Sequence, residues 1–218
     1  MRGRFETRLS PKALGITALR GGTAPLTQKV ARQDQLPRYA GTLGHEIAAM
    51  FLTVDTSITI RATPEAVWDY ASKPENWTAS NPTEHFGLHF DSPENLPHAG
   101  VTFTQRESVA GIRAVLRGRF HYMDRPRLAF WTGTAAYRLL GGLLTVRLPE
   151  GGVLNLVEGE DGVQLAHNVY IDFPDSLWGK FSCWYFQKYL NGRQAVYDHA
   201  FRELRYFKER LEAAAGAK

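Results

Sequence analysis

Ser57–Trp77 reads SITIRATPEAVWDYASKPENW, and the order of its local signals decides the fold. Ser57–Ile60 alternates polar and apolar, the pattern of a strand with one face buried. Thr63 then stands where a helix N-cap is needed, Pro64 suits the first helical position, and Glu65 favours the positive end of the helix dipole. The helix that follows is amphipathic and carries Trp68. A second start comes at once, because Ser72-Lys73-Pro74-Glu75 has the Ser-x-x-Glu spacing of a capping box. The stretch therefore predicts a strand, two short helices in succession, and Trp77 at the end of the second.

Working outward, 218 residues make one domain with room for an extension and a sizeable core. Residues 1–49 hold eight Lys/Arg and three Asp/Glu, leaving eighteen and nineteen for residues 50–218, so the net charge of +4 belongs to the leader. With no concentrated basic face and no nucleic-acid module, nucleic-acid binding is not expected. No run reaches the roughly 18 apolar residues of a membrane span. The N-terminus lacks the apolar core of a secretory signal. Cys183 is the one cysteine, which rules out an internal disulfide and a cysteine cage for zinc or iron–sulfur; among Trp184, Tyr185 and Phe186 it reads as a small buried side chain. A cytoplasmic location is the expectation.

Residues 1–51 read as a basic extension without sustained period. It is a flexible tail, a targeting segment, or the product of a start codon placed too early, with Met50 the true start. The folded domain is expected over residues 52–215. Strand patterns occur at Glu84–Phe90, Val101–Val109, Ile112–Tyr122, Arg127–Thr132, Val153–Val157 and Val163–Phe173, the last two joined by the acidic glycine turn Glu158–Gly162. Residues 138–150 read as an insertion or an extra hairpin closing at Pro149-Glu150-Gly151-Gly152. The period then changes: Phe186, Leu190, Tyr197, Phe201, Leu204, Phe207 and Leu211 follow helical spacing, with Asn191-Gly192 marking a kink. From Gly192 to Ala215 a helix would reach about 36 Å, enough to cross a small domain. The fold class is α+β: a curved antiparallel sheet of about six to seven strands wrapped on a long C-terminal helix, with two short helices after the first strand.

This order resembles the helix-grip fold of the START-like (SRPBCC) superfamily, which includes polyketide cyclase/dehydrases and lipid-transport proteins. The matching segments are Ile60–Trp68, Trp77 with Asn81-Pro82, Gly100–Phe103, Arg127–Trp131, Glu158–His167 and the Tyr197–Glu212 helix, covering about residues 54–213. The 138–150 segment and the long leader depart from the family's compact pattern. The resemblance implies a hydrophobic small molecule, of lipid, polyketide or aromatic type, bound between sheet and helix by a carrier or sensor. It also leaves a polyketide cyclase/dehydratase-like enzyme and a co-chaperone-like interaction module open, because fold does not choose among them.

Strand phase selects the residues that face the cavity, since alternate side chains share a face. Val163, Leu165, Val169, Ile171 and Phe173 place His167 among them; Val101 and Phe103 place Gln105 and Glu107 inward. Ile112, Ala114, Leu116, Phe120 and Tyr122 form an inward row, with Arg113, Arg117, Arg119 and His121 outward on a solvated face. With Trp131 and, from the gripping helix, Phe201 and Leu204, the expected ligand-binding set is Phe103, Gln105, Glu107, Leu116, Phe120, Tyr122, Trp131, His167, Val169, Phe201 and Leu204. Glu107, His167 and Tyr122 are the candidate acid–base groups if the protein is an enzyme. The seven histidines show no ligand spacing, such as His at i,i+4 on a helix with a carboxylate, so neither metal nor cofactor is expected. Trp178–Tyr189 is a dense aromatic cluster flanked by Lys180 and Lys188, which packs on the sheet as a lid or touches a membrane surface.

Overall fold

The computed structural model describes residues 51–216. The basic extension of residues 1–51 and the alternative start at Met50 lie outside them, save for Phe51, where the first strand begins. Element order follows the sequence reading: β1 (Phe51–Ile60), α1 (Pro64–Ala71), α2 (Pro74–Ser80), β2 (His85–Phe90), β3 (Thr102–Val109), β4 (Ile112–Asp124), β5 (Leu128–Leu139), β6 (Leu144–Gly159), β7 (Gly162–Asp172), α3 (Leu177–Trp184), a π-turn over Tyr185–Tyr189, and α4 (Gly192–Gly216). The seven strands form one antiparallel sheet in the order β1-β7-β6-β5-β4-β3-β2. Six strands meander, and β1 closes on the far edge beside β7.

The opening stretch behaves largely as its residues require. Thr63 caps α1 by accepting from the Ala66 N–H at 3.3 Å, with Pro64 in the first turn. The capping box does not form. Pro64's counterpart, Pro74, restricts the residue before it to extended backbone, so Lys73 (φ −92°, ψ 119°) becomes the N-cap of α2 with no side-chain bond. Ser72 instead closes α1, its N–H donating to the Trp68 carbonyl at 2.8 Å. Two helices still form, and Val67, Trp68 and Ala71 are buried against the sheet with Leu165, Leu204 and Phe207.

Residues 138–150 do not form a hairpin closing at Gly151-Gly152; they hold the end of β5, the turn and the start of β6. The hairpin turns at Leu140–Leu143, where Leu140, Gly141 and Gly142 all have positive φ (52°, 68° and 99°). Pro149–Gly152 lies mid-strand in β6, with Gly152 opposite Trp131 on β5 and Glu150 opposite Ile171 on β7. The two glycines are there for packing. A Cβ on Gly151 would sit 2.4 Å from the Tyr170 ring, and one on Gly152 2.8 Å from the Trp131 indole nitrogen. The predicted Glu158–Gly162 turn does close the β6–β7 hairpin, pairing Gly159 with Gly162.

α4 lies across the sheet and begins where the Asn191-Gly192 break was expected, with Gly192 tucked under the Phe186 ring. Its buried stripe runs through Val196, His199, Ala200, Glu203, Leu204 and Phe207. That stripe is rotated from the aromatic one the sequence advertises: Tyr197 and Phe201 stack on each other at 5.8 Å beside it, and Tyr197 is exposed.

Candidate functional site

Between sheet and α4 lies a cavity of about 140 Å³, smaller than the roughly 300–1,000 Å³ of typical ligand pockets. Its apolar wall is built from Trp68 on α1, Trp77 on α2, Phe90 on β2, Phe103 on β3, Phe120 on β4 and Trp131 on β5. Of the residues expected to face it, Phe103, Gln105, Glu107, Leu116, Phe120, Trp131, His167 and Val169 line it, whereas Tyr122, Phe201 and Leu204 do not. Tyr122 is corrected by a bulge. The β4–β5 register shifts between Phe120 and Tyr122, so the alternation slips by one; Tyr122 turns outward, half exposed, and Met123 takes the inward place. Phe201 sits beside the buried stripe of α4. Leu204 is fully buried but packs on α1 and β7, away from the cavity. Arg113, Arg117, Arg119 and His121 face outward as expected.

One end of the cavity is polar: Glu107, His199 and Glu203 line it and His85 stands behind them, the four groups coming from three elements. His85 on β2 stands directly opposite Glu107 on β3. His199 and Glu203 are one turn apart on the buried stripe of α4. Their side chains are 3–10% exposed. The two imidazoles meet Nε2 to Nε2 at 2.9 Å; Glu203 Oε1 lies 3.1 Å from His85 and 3.6 Å from His199, and Glu107 Oε2 lies 3.7 and 3.6 Å from them. Behind the pair, His85 Nδ1 donates to the Trp77 carbonyl at 2.6 Å, and His199 Nδ1 is 2.8 Å from Glu84 Oε2. Arg202 donates to Asn81 Oδ1 (2.8 Å) and to Glu84 Oε2 (3.1 Å), and Asn81 Nδ2 donates to Glu84 Oε2 at 2.7 Å.

The electrostatics follow from burial set against these partners. Burial alone would push the His199 imidazole down, but the Glu107, Glu203 and Glu84 carboxylates outweigh it and raise it to about 9. His85 moves up for the same reason, chiefly through Glu203. Burial would raise the Glu203 carboxyl, yet His167, His85 and His199 hold it well below the usual carboxylate range. Glu150, fully buried on the cavity wall, goes the other way: burial and the Glu107 charge raise it to about 8, against the hydrogen bond it accepts from the Tyr137 hydroxyl. The cavity thus sets a neutral carboxyl near an ionised histidine–carboxylate group.

His167, the inward histidine of β7, packs edge-on against Trp77 at 5.7 Å. Its Nδ1 is buried without a hydrogen bond, lying 3.6 Å from Glu203 Oε2, just beyond bonding distance. Gln105 donates to Glu107 Oε2 at 2.7 Å. Sequence reasoning found Gln105, Glu107 and His167 but missed His85, His199, Glu203 and Glu150. A His-x-x-x-Glu pair on the long helix (His199, Glu203) was the one local signal available. His85 needs the β2–β3 register to be seen, and Glu150 was hidden by the misplaced turn.

The aromatic cluster divides between core and surface. Cys183 and Phe186 are buried, while Leu177, Trp178, Trp184 and Tyr189 are exposed by 83%, 64%, 56% and 69%. No helix among the described residues is long and apolar enough to cross a membrane.

No protein-family model matches this sequence, and the search of curated proteins finds no match. Solved structures do match. The di-domain ARO/CYC StfQ from the steffimycin biosynthetic pathway aligns with a TM-score of 0.54 at 13% identity, over 79% of this chain and 55% of its own, so this chain spans about half of that protein. TTHA0849 from Thermus thermophilus aligns at 0.51 with 14% identity, over 74% of this chain and 98% of its own. Ginseng major latex-like protein 151 from Panax ginseng aligns at 0.52 with 7% identity, again over 74% and 98%. At such identities the likeness is one of architecture, and it agrees with the element order and sheet topology: the chain has the START-like, helix-grip fold.

Proposed function

We propose that the protein binds a small hydrophobic molecule in the cavity between sheet and α4, as a carrier or sensor. The observation that supports this most directly is an apolar, largely aromatic wall ending in a few buried polar groups, the usual build of a small-molecule site. The volume, about 140 Å³, is close to the roughly 150 Å³ of a dry cavity that takes up benzene. A single-ring group fits as the walls stand; a fused-ring or lipid-like ligand requires α4 or the aromatic wall to move. Burial supplies affinity at about 25 cal/mol per Å² of apolar surface, and Gln105, Glu107 and His167 orient a carbonyl or hydroxyl.

A catalytic reading is favoured by one feature, the buried His167 Nδ1 that lacks a hydrogen bond beside an ionised Glu203. A ligand hydroxyl or carbonyl at that nitrogen would meet an acid–base group, as polyketide cyclase/dehydratase-like chemistry needs. The likeness to StfQ adds a fold-level analogy and no more. In this reading Tyr122 has no part, because it faces solvent. The exposed rings of Trp178, Trp184 and Tyr189 support a peripheral membrane contact as the route by which an apolar ligand arrives.

The test is a titration with aromatic ligands graded from single-ring to fused-ring, with native mass spectrometry for a co-purified adduct. Saturable, stoichiometric binding is expected. His167→Gln should weaken it several-fold with the thermal melt unchanged, since one hydrogen bond is worth about 0.5–1.5 kcal/mol. In an enzyme the same change slows turnover by roughly 10²–10⁴-fold. A lower melt with unaltered affinity would remove His167 from the site, and absence of saturable binding across the series would overturn the proposal.

A further inference from the structure

We propose that His85, His199, Glu107 and Glu203 form a binding site for one divalent transition-metal ion of the zinc class at the polar end of the cavity. The inference stands apart from the small-molecule reading, since the four side chains converge whatever the apolar wall holds.

Proton bookkeeping points to a cation. A backbone carbonyl only accepts, so His85 Nδ1, at 2.6 Å from the Trp77 oxygen, carries a hydrogen. Arg202 fixes Asn81 with its oxygen as acceptor, and the Asn81 amide nitrogen already donates to Glu84. His199 Nδ1 has two neighbours, the Asn81 amide nitrogen at 3.1 Å and Glu84 Oε2 at 2.8 Å; the shorter contact is to a carboxylate, which only accepts, and it puts the hydrogen on Nδ1. Both imidazoles thus aim Nε2 at one point, where Glu203 Oε1 and Glu107 Oε2 also arrive. Once a metal displaces the proton held between the two imidazoles, four electron-pair donors face one another in a buried cluster, with Gln105 still donating to Glu107 Oε2 at 2.7 Å. One proton shared by the two nitrogens leaves Glu203 Oε1 without a donor of its own. A divalent cation at the centre satisfies all four together.

The distances fit. A tetrahedron with metal–ligand bonds of about 2.0–2.1 Å has edges of about 3.3 Å. The five donor–donor separations that involve a histidine nitrogen are 2.9, 3.1, 3.6, 3.6 and 3.7 Å, and the sixth edge, between the Glu107 and Glu203 carboxylates, forms as they close on the ion. His85, Glu107 and His199 alone already present one ligand atom each within 4.8 Å of one another. Two imidazoles with two carboxylates suit zinc and its borderline neighbours, whereas magnesium and calcium favour all-oxygen shells. The groups behind the ligands match as well, because metal-bound histidines hand their other N–H to a carbonyl or carboxylate. Trp77 and Glu84 are such partners, and Arg202 in turn holds Glu84.

The experiment uses the untagged full chain, stripped with chelator. Zn²⁺ is titrated by calorimetry, Co²⁺ is followed by its visible spectrum, and Mg²⁺ serves as competitor. One Zn²⁺ per chain, intense tetrahedral Co²⁺ bands and indifference to Mg²⁺ are expected. His85→Gln combined with His199→Gln should abolish binding. Glu84→Gln, which touches no metal, should weaken it about 10–100-fold, and the exposed His98→Gln should leave it unchanged. If the double variant fails to fold, the wild-type Co²⁺ spectrum decides. Absence of stoichiometric uptake, a weak octahedral Co²⁺ spectrum, or Zn²⁺ binding that survives both histidine changes in a folded protein would each overturn the site.

Discussion

Glu150→Gln should make the protein more stable as pH rises, and the size of the gain can be worked from the structure. Glu150 is fully buried on β6, its carboxyl raised from 4.5 to about 8 by burial and by the Glu107 charge, with Tyr137 donating to it. In the unfolded chain the carboxyl ionises near its ordinary value. Between about pH 4.5 and 8 the native state therefore holds a proton that the unfolded state has released, so stability falls as pH rises across that window. The two pKa values give a penalty of about 0.8 kcal/mol at pH 5 and about 3.3 kcal/mol at pH 7, a loss of about 2.5 kcal/mol over the interval. Glutamine cannot ionise, so the variant's stability relative to wild type should climb by that amount from pH 5 to pH 7. Other titrating groups are common to both proteins and cancel in the difference. The assay is urea denaturation at pH 5, 6 and 7 in the presence of EDTA, which removes any contribution from bound metal. Tyr137→Phe in the wild-type background should leave the slope between pH 5 and pH 7 unchanged and carry the loss further above pH 8, because it removes the one bond that favours the ionised carboxyl. A stability difference between Glu150→Gln and wild type that stays flat with pH, or shrinks as pH rises, would refute the reasoning.

Trp68→Ala should cost about 3–5 kcal/mol in the same denaturation assay, as truncation of a buried aromatic does; a loss under about 1 kcal/mol would contradict its place between α1 and the sheet, where it is 5% exposed. Trp178→Ser with Trp184→Ser removes two exposed rings of the α3 face and should abolish co-sedimentation with anionic vesicles while leaving the melt unchanged, because neither ring is in the core. Wild-type protein that stays in the supernatant would remove membrane contact from the proposal.

Much of the fold was legible because its signals are local. Thr63, Pro64 and Glu65 announce α1 in three consecutive residues, Glu158–Gly162 announces the β6–β7 turn, and Asn191-Gly192 marks where α4 starts. The misreadings came where one residue type serves two ends. Gly151-Gly152 looks like a turn, yet those glycines make room for Tyr170 and Trp131, rings far away in sequence. The turn itself fell at Gly141-Gly142, inside an apolar run that hid it. Ser72 and Glu75 had the spacing of a capping box, but Pro74 decides the backbone at Lys73 first, since its steric restriction leaves no alternative.

The site was harder to read, and for a physical reason. Alternation predicts inward residues only while the pleat is unbroken, which it is through Phe103, Gln105, Glu107, Leu116 and Phe120; one bulge past Phe120 exchanges Tyr122 for Met123. On α4 the hydrophobic pattern misleads because the stripe that faces the sheet contains His199 and Glu203, residues a polarity count assigns to solvent. Burying them is costly unless each finds partners. Those partners are His85 and Glu107, opposite each other across β2 and β3. A helical i,i+4 pair and a cross-strand pair are each readable alone, but their meeting depends on how the helix lies across the sheet, which no local pattern encodes. What the sequence does carry is the anomaly: a long amphipathic helix whose most buried stripe is not its most apolar one. In a domain with this cavity, that mismatch marks where a buried polar cluster has displaced apolar packing.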